Sequence, residues 1–399
     1  MDGNKAADSC RLVEFYDEEY LENVISLLHR PYTAVTYVYF TSAREPDRLT
    51  RNALRRFIME RWGIAADFLA IGRESVSSVV EAFEKLTAEE RCDFDVTGGP
   101  SVFIAAAGAV AGRFPERKIG VHEYDPATGR CLFCWPEDGG ADLTESPAQL
   151  TVEEIMALQK VEILKRPNLI RYELDRENLG EEILKLWDTV RPWLREWNTL
   201  SVLPVHRDGP WVQKRMSGRQ WQACAPMLEA MERKKLISGL EMERGREVLV
   251  RYRLNCHGSA DVLYEKGGNL LELLTYLALE RSGGFSDCCT GVVLDWELED
   301  RPVSGNPINE LDVLGVRKSV PYFISCKNAQ VKNEFLYEIL TITRHFGGRY
   351  GVPVLVTTAW CSPAIRTRAK EMGILLIEDL RRFSGAEICE RIRKRLCKN

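Results

Sequence analysis

From Arg11 to Tyr124 the chain alternates short apolar runs with longer amphipathic ones. Period-two runs such as 11–15, 34–40, 66–72, 92–96 and 118–124 predict strands, and runs with apolar spacing of three and four at 20–29, 48–62, 77–86 and 101–114 predict helices. Strand and helix in turn are the pattern of a parallel sheet covered on both faces, so a Rossmann-like domain is expected. The stretch 136–147, PEDGGADLTESP, is rich in turn residues and acids. A helix-like segment follows it, placing the first boundary near residue 150.

Residues 151–255 read differently. Helical runs at 181–197 and 217–237 precede two strand-like runs, 239–243 and 247–253, separated by Arg244, Gly245 and Arg246. Helices followed by a hairpin resemble a winged helix; a connector packed between domains is the other reading, and the one preferred, since no basic recognition helix stands out. After His257 the alternation resumes over 256–399. A helix led by Gly267 and Gly268 is expected first, then strands at 291–298, 309–316 and 321–327. A helix at 334–346, a strand at 352–358 and a final helix pair complete a mixed sheet flanked by helices. The expected chain is α/β with three parts, 1–150, 151–255 and 256–399.

Composition narrows the classes. The chain has 399 residues, 45% of them hydrophobic, ordinary for a globular protein and long enough for two or three domains. No run approaches the ~18 apolar residues of a spanning helix, and MDGNKAADSC lacks the basic-then-apolar order of a secretory signal, so a cytoplasmic protein with no membrane partner is expected. Twelve cysteines, several inside apolar runs, read as free thiols; the single CxxC, Cys131 to Cys134, has no second pair at zinc-finger spacing. With 54 basic and 59 acidic residues the formal charge is −5, which argues against coating nucleic acid through bulk charge. Locally the sign reverses, because residues 365–399 hold ten Lys or Arg and five Asp or Glu.

Two constellations carry chemistry. In DVTGGPS, residues 95–101, an apolar strand ends where two glycines begin and a small-residue helix follows. Gly98 and Gly99 let backbone approach a ligand, and N–H groups at the helix start, joined by the hydroxyls of Thr97 and Ser101, suit phosphate oxygens. The polar turn from Tyr16 through Asp17 to Glu19 ends the first strand and is expected on the same sheet edge. The order of elements with this turn resembles the CARF domain of CRISPR-associated proteins, which implies binding of a cyclic oligoadenylate across a homodimer. Where that family often has Thr-Lys after the glycines, this chain has Pro100 and Ser101.

The second constellation is the pair of strands around NELDVLGV and PYFISCK. Side chains two apart share a strand face, so Glu310 and Asp312 point one way, Ser325 and Lys327 likewise, and Leu311, Val313, Ile324 and Cys326 the other. Acids and a lysine on adjacent strands fit metal-assisted phosphodiester hydrolysis, with Mg²⁺ or Mn²⁺ on the carboxylates. These residues resemble the PD-(D/E)XK nuclease fold, with Ser325 where an acid is usual. The resemblance implies that Glu338 or Glu334 replaces that acid, with Glu338 favoured, and that Glu272 is the acid of the first helix. Both halves together resemble CRISPR ancillary nucleases switched on by cyclic tetra-adenylate. That implies a homodimeric, metal-dependent endonuclease for DNA, single-stranded or nicked, with RNA as a further substrate. The rival is a ligand-sensing DNA-binding regulator whose nuclease-like domain does not cut.

Overall fold

A computed structural model describes residues 9–19, 21–42, 45–125, 130–135, 149–159, 179–208, 211–255, 270–295 and 308–397. It divides into two compact units, Met1–Val161 with Lys318–Val320, and Glu162–Arg317 with Pro321–Asn399. The expected glycines 267 and 268 lie outside the described residues.

The first unit is built on β1 (Cys10–Phe15), β2 (Ala34–Phe40), β3 (Ala65–Ile71), β4 (Arg91–Asp95), β5 (Gly120–Asp125) and β6 (Arg130–Trp135). Their order is β3-β2-β1-β4-β5-β6, parallel except for the last pair. Chain order reverses between β1 and β4, the switch point at whose carboxyl end open α/β sheets bind ligands. Helices α1 (Arg48–Trp62), α2 (Val76–Glu89) and α3 (Ser101–Arg113) connect the strands, and α4 (Val152–Leu158) follows the sheet. The first two have side-chain N-caps: Asp47 accepts from the Thr50 N–H and Ser75 from the Ser78 N–H. Phe83 and Phe94, with ring centroids 4.5 Å apart, anchor the core together with Phe103.

One predicted element differs. Of the run 20–29, the described residues 21–29 form turns and a short 3-10 piece, Ser26–Leu28, instead of an α-helix. Its polar side chains are drawn into tertiary bonds: Asn23 Nδ2 donates to the Asp17 carbonyl at 2.8 Å, and Ser26 donates to Asp95. Such side chains compete with helical hydrogen bonding.

The second unit begins with α5 (Leu179–Val190), a 3-10 turn at Arg191–Trp193 and α6 (Leu194–Val202). The single helix expected over 181–197 is thus split at Pro192, which removes a helical donor. Strands β7 (His206–Asp208) and β8 (Trp211–Met216), helix α7 (Gly218–Arg233) and the antiparallel pair β9 (Ile237–Arg244) and β10 (Val248–Leu254) follow. The sheet order is β7-β8-β10-β9, with the 239–253 hairpin where the sequence places it.

A five-stranded mixed sheet completes the unit. Its strands are β11 (Asp287–Asp295), β12 (Ile308–Arg317), β13 (Val320–Lys327), β14 (Val352–Thr357) and β15 (Leu375–Ile377), adjacent in that order. Pairing is antiparallel between β11 and β12 and parallel from β13 to β15. Helices α8 (Leu270–Glu280), α9 (Asn333–Gly347), α10 (Pro363–Glu371) and α11 (Gly385–Leu396) flank it. Among the described residues no helix is long and apolar enough to cross a membrane.

Candidate functional sites

In the first unit the turns after β1 and β4 meet at the carboxyl edge of the sheet. Asp17 closes the first turn on itself: its carboxylate accepts from the Glu19 N–H at 2.8 Å, and its N–H donates to Asn23 Oδ1 at 2.9 Å. Glycine is required at position 99 beside it, and Gly98 is closely packed. A Cβ on Gly98 would stand 2.5 Å from Glu22 Oε2, and Gly99 has φ of 91° with Phe15 Cβ only 2.7 Å from where its own Cβ would be. The two glycines therefore bring the β4 turn tightly onto the β1 turn, as the sequence implies.

Thr97 departs from expectation. Its hydroxyl donates to Asp95 and accepts from the Tyr124 N–H at 2.7 Å, so it braces the turn from within. Ser101 is exposed at the first position of α3. Pro100 offers no side-chain cap there; the Phe103 N–H donates to the Pro100 carbonyl at 2.9 Å, which leaves the N–H groups of Ser101 and Val102 for another acceptor.

Below this edge lies a buried polar cluster that sequence spacing does not reveal. Glu14, Asp93, Asp95, Ser26 and His122 are all 3% exposed or less. Ser26 donates to Asp95 and lies 3.2 Å from His122 Nε2. Asp93 is paired with Arg30 at 2.6 Å. Burial first, then the charges of Asp95 and Glu22, push the Glu14 carboxyl well above 4.5, and burial holds His122 below 6.5. The shift favours the protonated form of Glu14, which lessens its repulsion from Asp95.

Between β12 and β13, Lys318 and Ser319 both have positive φ, 51° and 61°, the geometry of a two-residue hairpin turn. Counting back from that turn sets Asp312 opposite Ser325 and Glu310 opposite Lys327. Asp312 Oδ2 accepts from the Cys326 N–H at 2.6 Å and from the Ser325 hydroxyl at 3.1 Å, and Lys327 Nζ stands 4.0 Å from the same oxygen. Both hydrogen bonds fall on Oδ2, which leaves Oδ1 for a ligand. On the other side, Val292 pairs with Leu311 and Thr290 with Val313, so Gly291, at φ 62°, falls opposite Asp312 and leaves its flank without a side chain.

The apolar face is as expected: Leu311, Val313 and Ile324 are buried. Burial raises the Asp312 carboxyl from 3.8, opposed chiefly by Lys327, and the charge of Glu310 adds to the rise. Glu272 makes itself felt through Cys326, whose thiol is raised by burial, then by Asp312 and Glu272. Lys327 also lies 5.3 Å from the centroid of Phe335, a contact the sequence pattern does not disclose.

Asp312, Ser325 and Lys327 are thus brought together, with Glu310 electrostatically beside them. Glu334 and Glu338 are both exposed on α9. Among the described residues no three of His, Cys, Asp and Glu converge to hold a metal, so Glu272, Glu310, Asp312 and Glu338 do not form a ready-made cage. The donors present still suit a hard divalent cation. Mg²⁺ is commonly held by one or two carboxylates, with water and substrate phosphate completing its shell.

No family model matches the chain, and no curated protein matches it. Solved structures do. Protein VC1899 from Vibrio cholerae superposes with a TM-score of 0.73 at 18% identity, over 97% of this chain and 98% of that one. Can2 from Sulfobacillus thermosulfidooxidans, solved with cyclic tetra-adenylate, gives 0.63 at 14% identity over 96% and 98%. A type III CRISPR defence DNA nuclease activated by cyclic oligoadenylate gives 0.50 at 17% identity, over 89% of this chain and 46% of the other. What this chain shares with VC1899 and with Can2 across nearly their whole lengths is therefore the fold.

Proposed function

We propose that this protein is a homodimeric, metal-dependent nuclease activated by a cyclic oligoadenylate, cyclic tetra-adenylate first among them, in antiviral defence of the type III CRISPR kind. The observation that carries the reading is the convergence of Asp312, Ser325 and Lys327 on one hairpin face, within a chain whose fold extends along that of a cyclic-tetra-adenylate-binding protein. Ligand phosphates would lie at the Gly98–Gly99 turn and the start of α3. A two-fold dimer suits such a ring, because a ring of four identical units presents equivalent halves to both copies.

At the hairpin, Asp312 and Glu310 would hold Mn²⁺ or Mg²⁺, with Glu272 and Glu338 the further acids to be tested. The bound cation supplies Lewis-acid polarisation of the phosphate and a more acidic water. The chain's own residues do the rest. The Cys326 N–H and the Ser325 hydroxyl fix the Asp312 carboxylate in one rotamer, and Lys327, beside Asp312, offsets charge developing on a phosphate oxygen. Ligand binding would favour the dimer state in which these residues reach the strand to be cut.

The regulator reading is favoured by the order of two helices, two strands, a helix and a hairpin over 179–254, together with Ser325 in place of an acid. Cleavage of labelled single-stranded DNA, nicked duplex and RNA by purified protein with Mn²⁺, with and without cyclic tetra-adenylate, separates the two. Ligand-dependent cleavage is expected; ligand binding with no cleavage of any of the three supports the regulator.

A further inference from the structure

Trp360 is 48% exposed in the segment that follows β14. Strands β13 and β14 are parallel, so both end on one edge of the sheet, with Lys327 and Thr357 in register. The Thr358 N–H donates to the Lys327 carbonyl at 3.2 Å. Trp360 is two residues further, a reach of at most ~7 Å along the chain.

Its backbone is pinned on every side. The Ala359 N–H donates to Thr357 Oγ1 at 3.1 Å, the Ala359 carbonyl accepts from the Asp379 N–H at 2.9 Å, and the Trp360 carbonyl accepts from Gln330 Nε2 at 3.1 Å. The next N–H, of buried Cys361, donates to Glu378 Oε2 at 2.6 Å. Glu378 in turn accepts from Arg366 Nε at 2.5 Å, and the Arg366 guanidinium lies 4.8 Å from the indole centroid. A half-exposed indole on a pinned backbone, with a cation held against it, is unlike a surface apolar residue that merely escaped burial. An immobilised aromatic loses little entropy on binding a flat partner, and a guanidinium beside it favours a partner that carries negative charge.

We propose that Trp360, backed by Arg366, is a stacking platform for an unpaired base of the strand cut at Lys327. This rests on the nuclease reading above and deepens it. A base can lie on the indole only when it is free of its own stack, so a closed duplex gains nothing from the platform. Every base has a π-face, so the contact is tolerant of sequence and works for deoxyribose and ribose strands alike.

The test uses the full chain with Lys327→Ala, so that binding is read without cleavage. Fluorescence anisotropy is measured with labelled oligo-dT, oligo-rU and a blunt DNA duplex of equal length, each with and without cyclic tetra-adenylate. Adding Trp360→Ala should weaken binding of both single strands about tenfold or more. Trp360→Phe should stay within about threefold, and duplex binding should move less than about twofold. Equal weakening on the duplex, or unchanged single-strand binding in Trp360→Ala, overturns the platform while leaving the nuclease reading standing. If the Lys327→Ala parent binds none of the three probes in either state, the nuclease reading falls and the platform with it.

Discussion

The ammonium of Lys327 stands 4.0 Å from Asp312 Oδ2, across the hairpin formed by β12 and β13. The pair is half-buried, with side chains 26% and 19% exposed, so each charge retains some water and the site is open to a phosphate. The same Asp312 oxygen accepts two hydrogen bonds, from Ser325 and from the Cys326 backbone. A carboxylate held by three contacts needs little reorganisation when it takes a cation.

Removing either partner should abolish chemistry without unfolding the protein. Asp312→Asn keeps the shape and loses the charge; Lys327→Ala keeps the carboxylate and loses its counter-charge. Each is expected to lower cleavage by at least about a hundredfold, the scale of losing a positioned charge stabiliser. Circular dichroism and cyclic tetra-adenylate calorimetry on the same variants should match the parent. Cleavage within a few-fold of the parent in both variants would remove the chemistry from this hairpin.

Glu310→Ala and Glu338→Ala separate two ways of completing a cation shell. The charge of Glu310 bears directly on Asp312, whereas Glu338 is exposed on α9. The Mn²⁺ concentration giving half-maximal cleavage should rise about tenfold in Glu310→Ala, the loss of one charged ligand at roughly 1.4 kcal/mol. In Glu338→Ala a change of less than about threefold is expected. A larger effect in Glu338→Ala than in Glu310→Ala would place an α9 acid on the cation.

The glycine turn offers a sensor test with two components. Gly98→Glu would set a second carboxylate against Glu22, 2.5 Å from the new Cβ, and would fill the proposed phosphate site with negative charge. Calorimetry should show loss of cyclic tetra-adenylate binding. Gly99→Ala should cost stability, about 1–3 kcal/mol, because alanine is strained at φ 91° and its Cβ would meet Phe15. Undiminished ligand binding by a folded Gly98→Glu protein would move the pocket elsewhere.

Buried Glu14 sets a pH dependence whose sign is fixed by its neighbours. Its carboxyl holds a proton in the folded state well above 4.5, whereas the unfolded chain releases that proton near 4.5. Above 4.5 the native state therefore binds more protons than the unfolded state, and this group's contribution falls as pH rises, by up to ~1.4 kcal/mol per pH unit, until the folded carboxyl itself ionises. Glu14→Gln keeps the shape and removes the titration. Denaturant melts from pH 5 to 9 should show the variant gaining on the parent with rising pH; parallel curves would mean that Glu14 is ionised in the folded protein.

Alternation along the chain was sufficient for a good part of this. It places Glu310 with Asp312 and Ser325 with Lys327, because strand side chains repeat every two residues, and it marks the strand that ends in Gly98 and Gly99, because an apolar run stops there. These are local facts, carried by neighbours in sequence. Other relations needed the tertiary structure. Residues 20–29 have helical spacing, yet Asn23 and Ser26 bond to Asp17 and Asp95, and those tertiary bonds outweigh local propensity. Ser26 and His122 are 96 positions apart and meet only because β1, β4 and β5 lie side by side. The short strand β15 has too few residues to register as a period and exists by pairing with β14. Parallel pairing of β13 with β14 is what brings Trp360 to the same sheet edge as Lys327, since parallel strands deliver distant loops to one edge of a sheet.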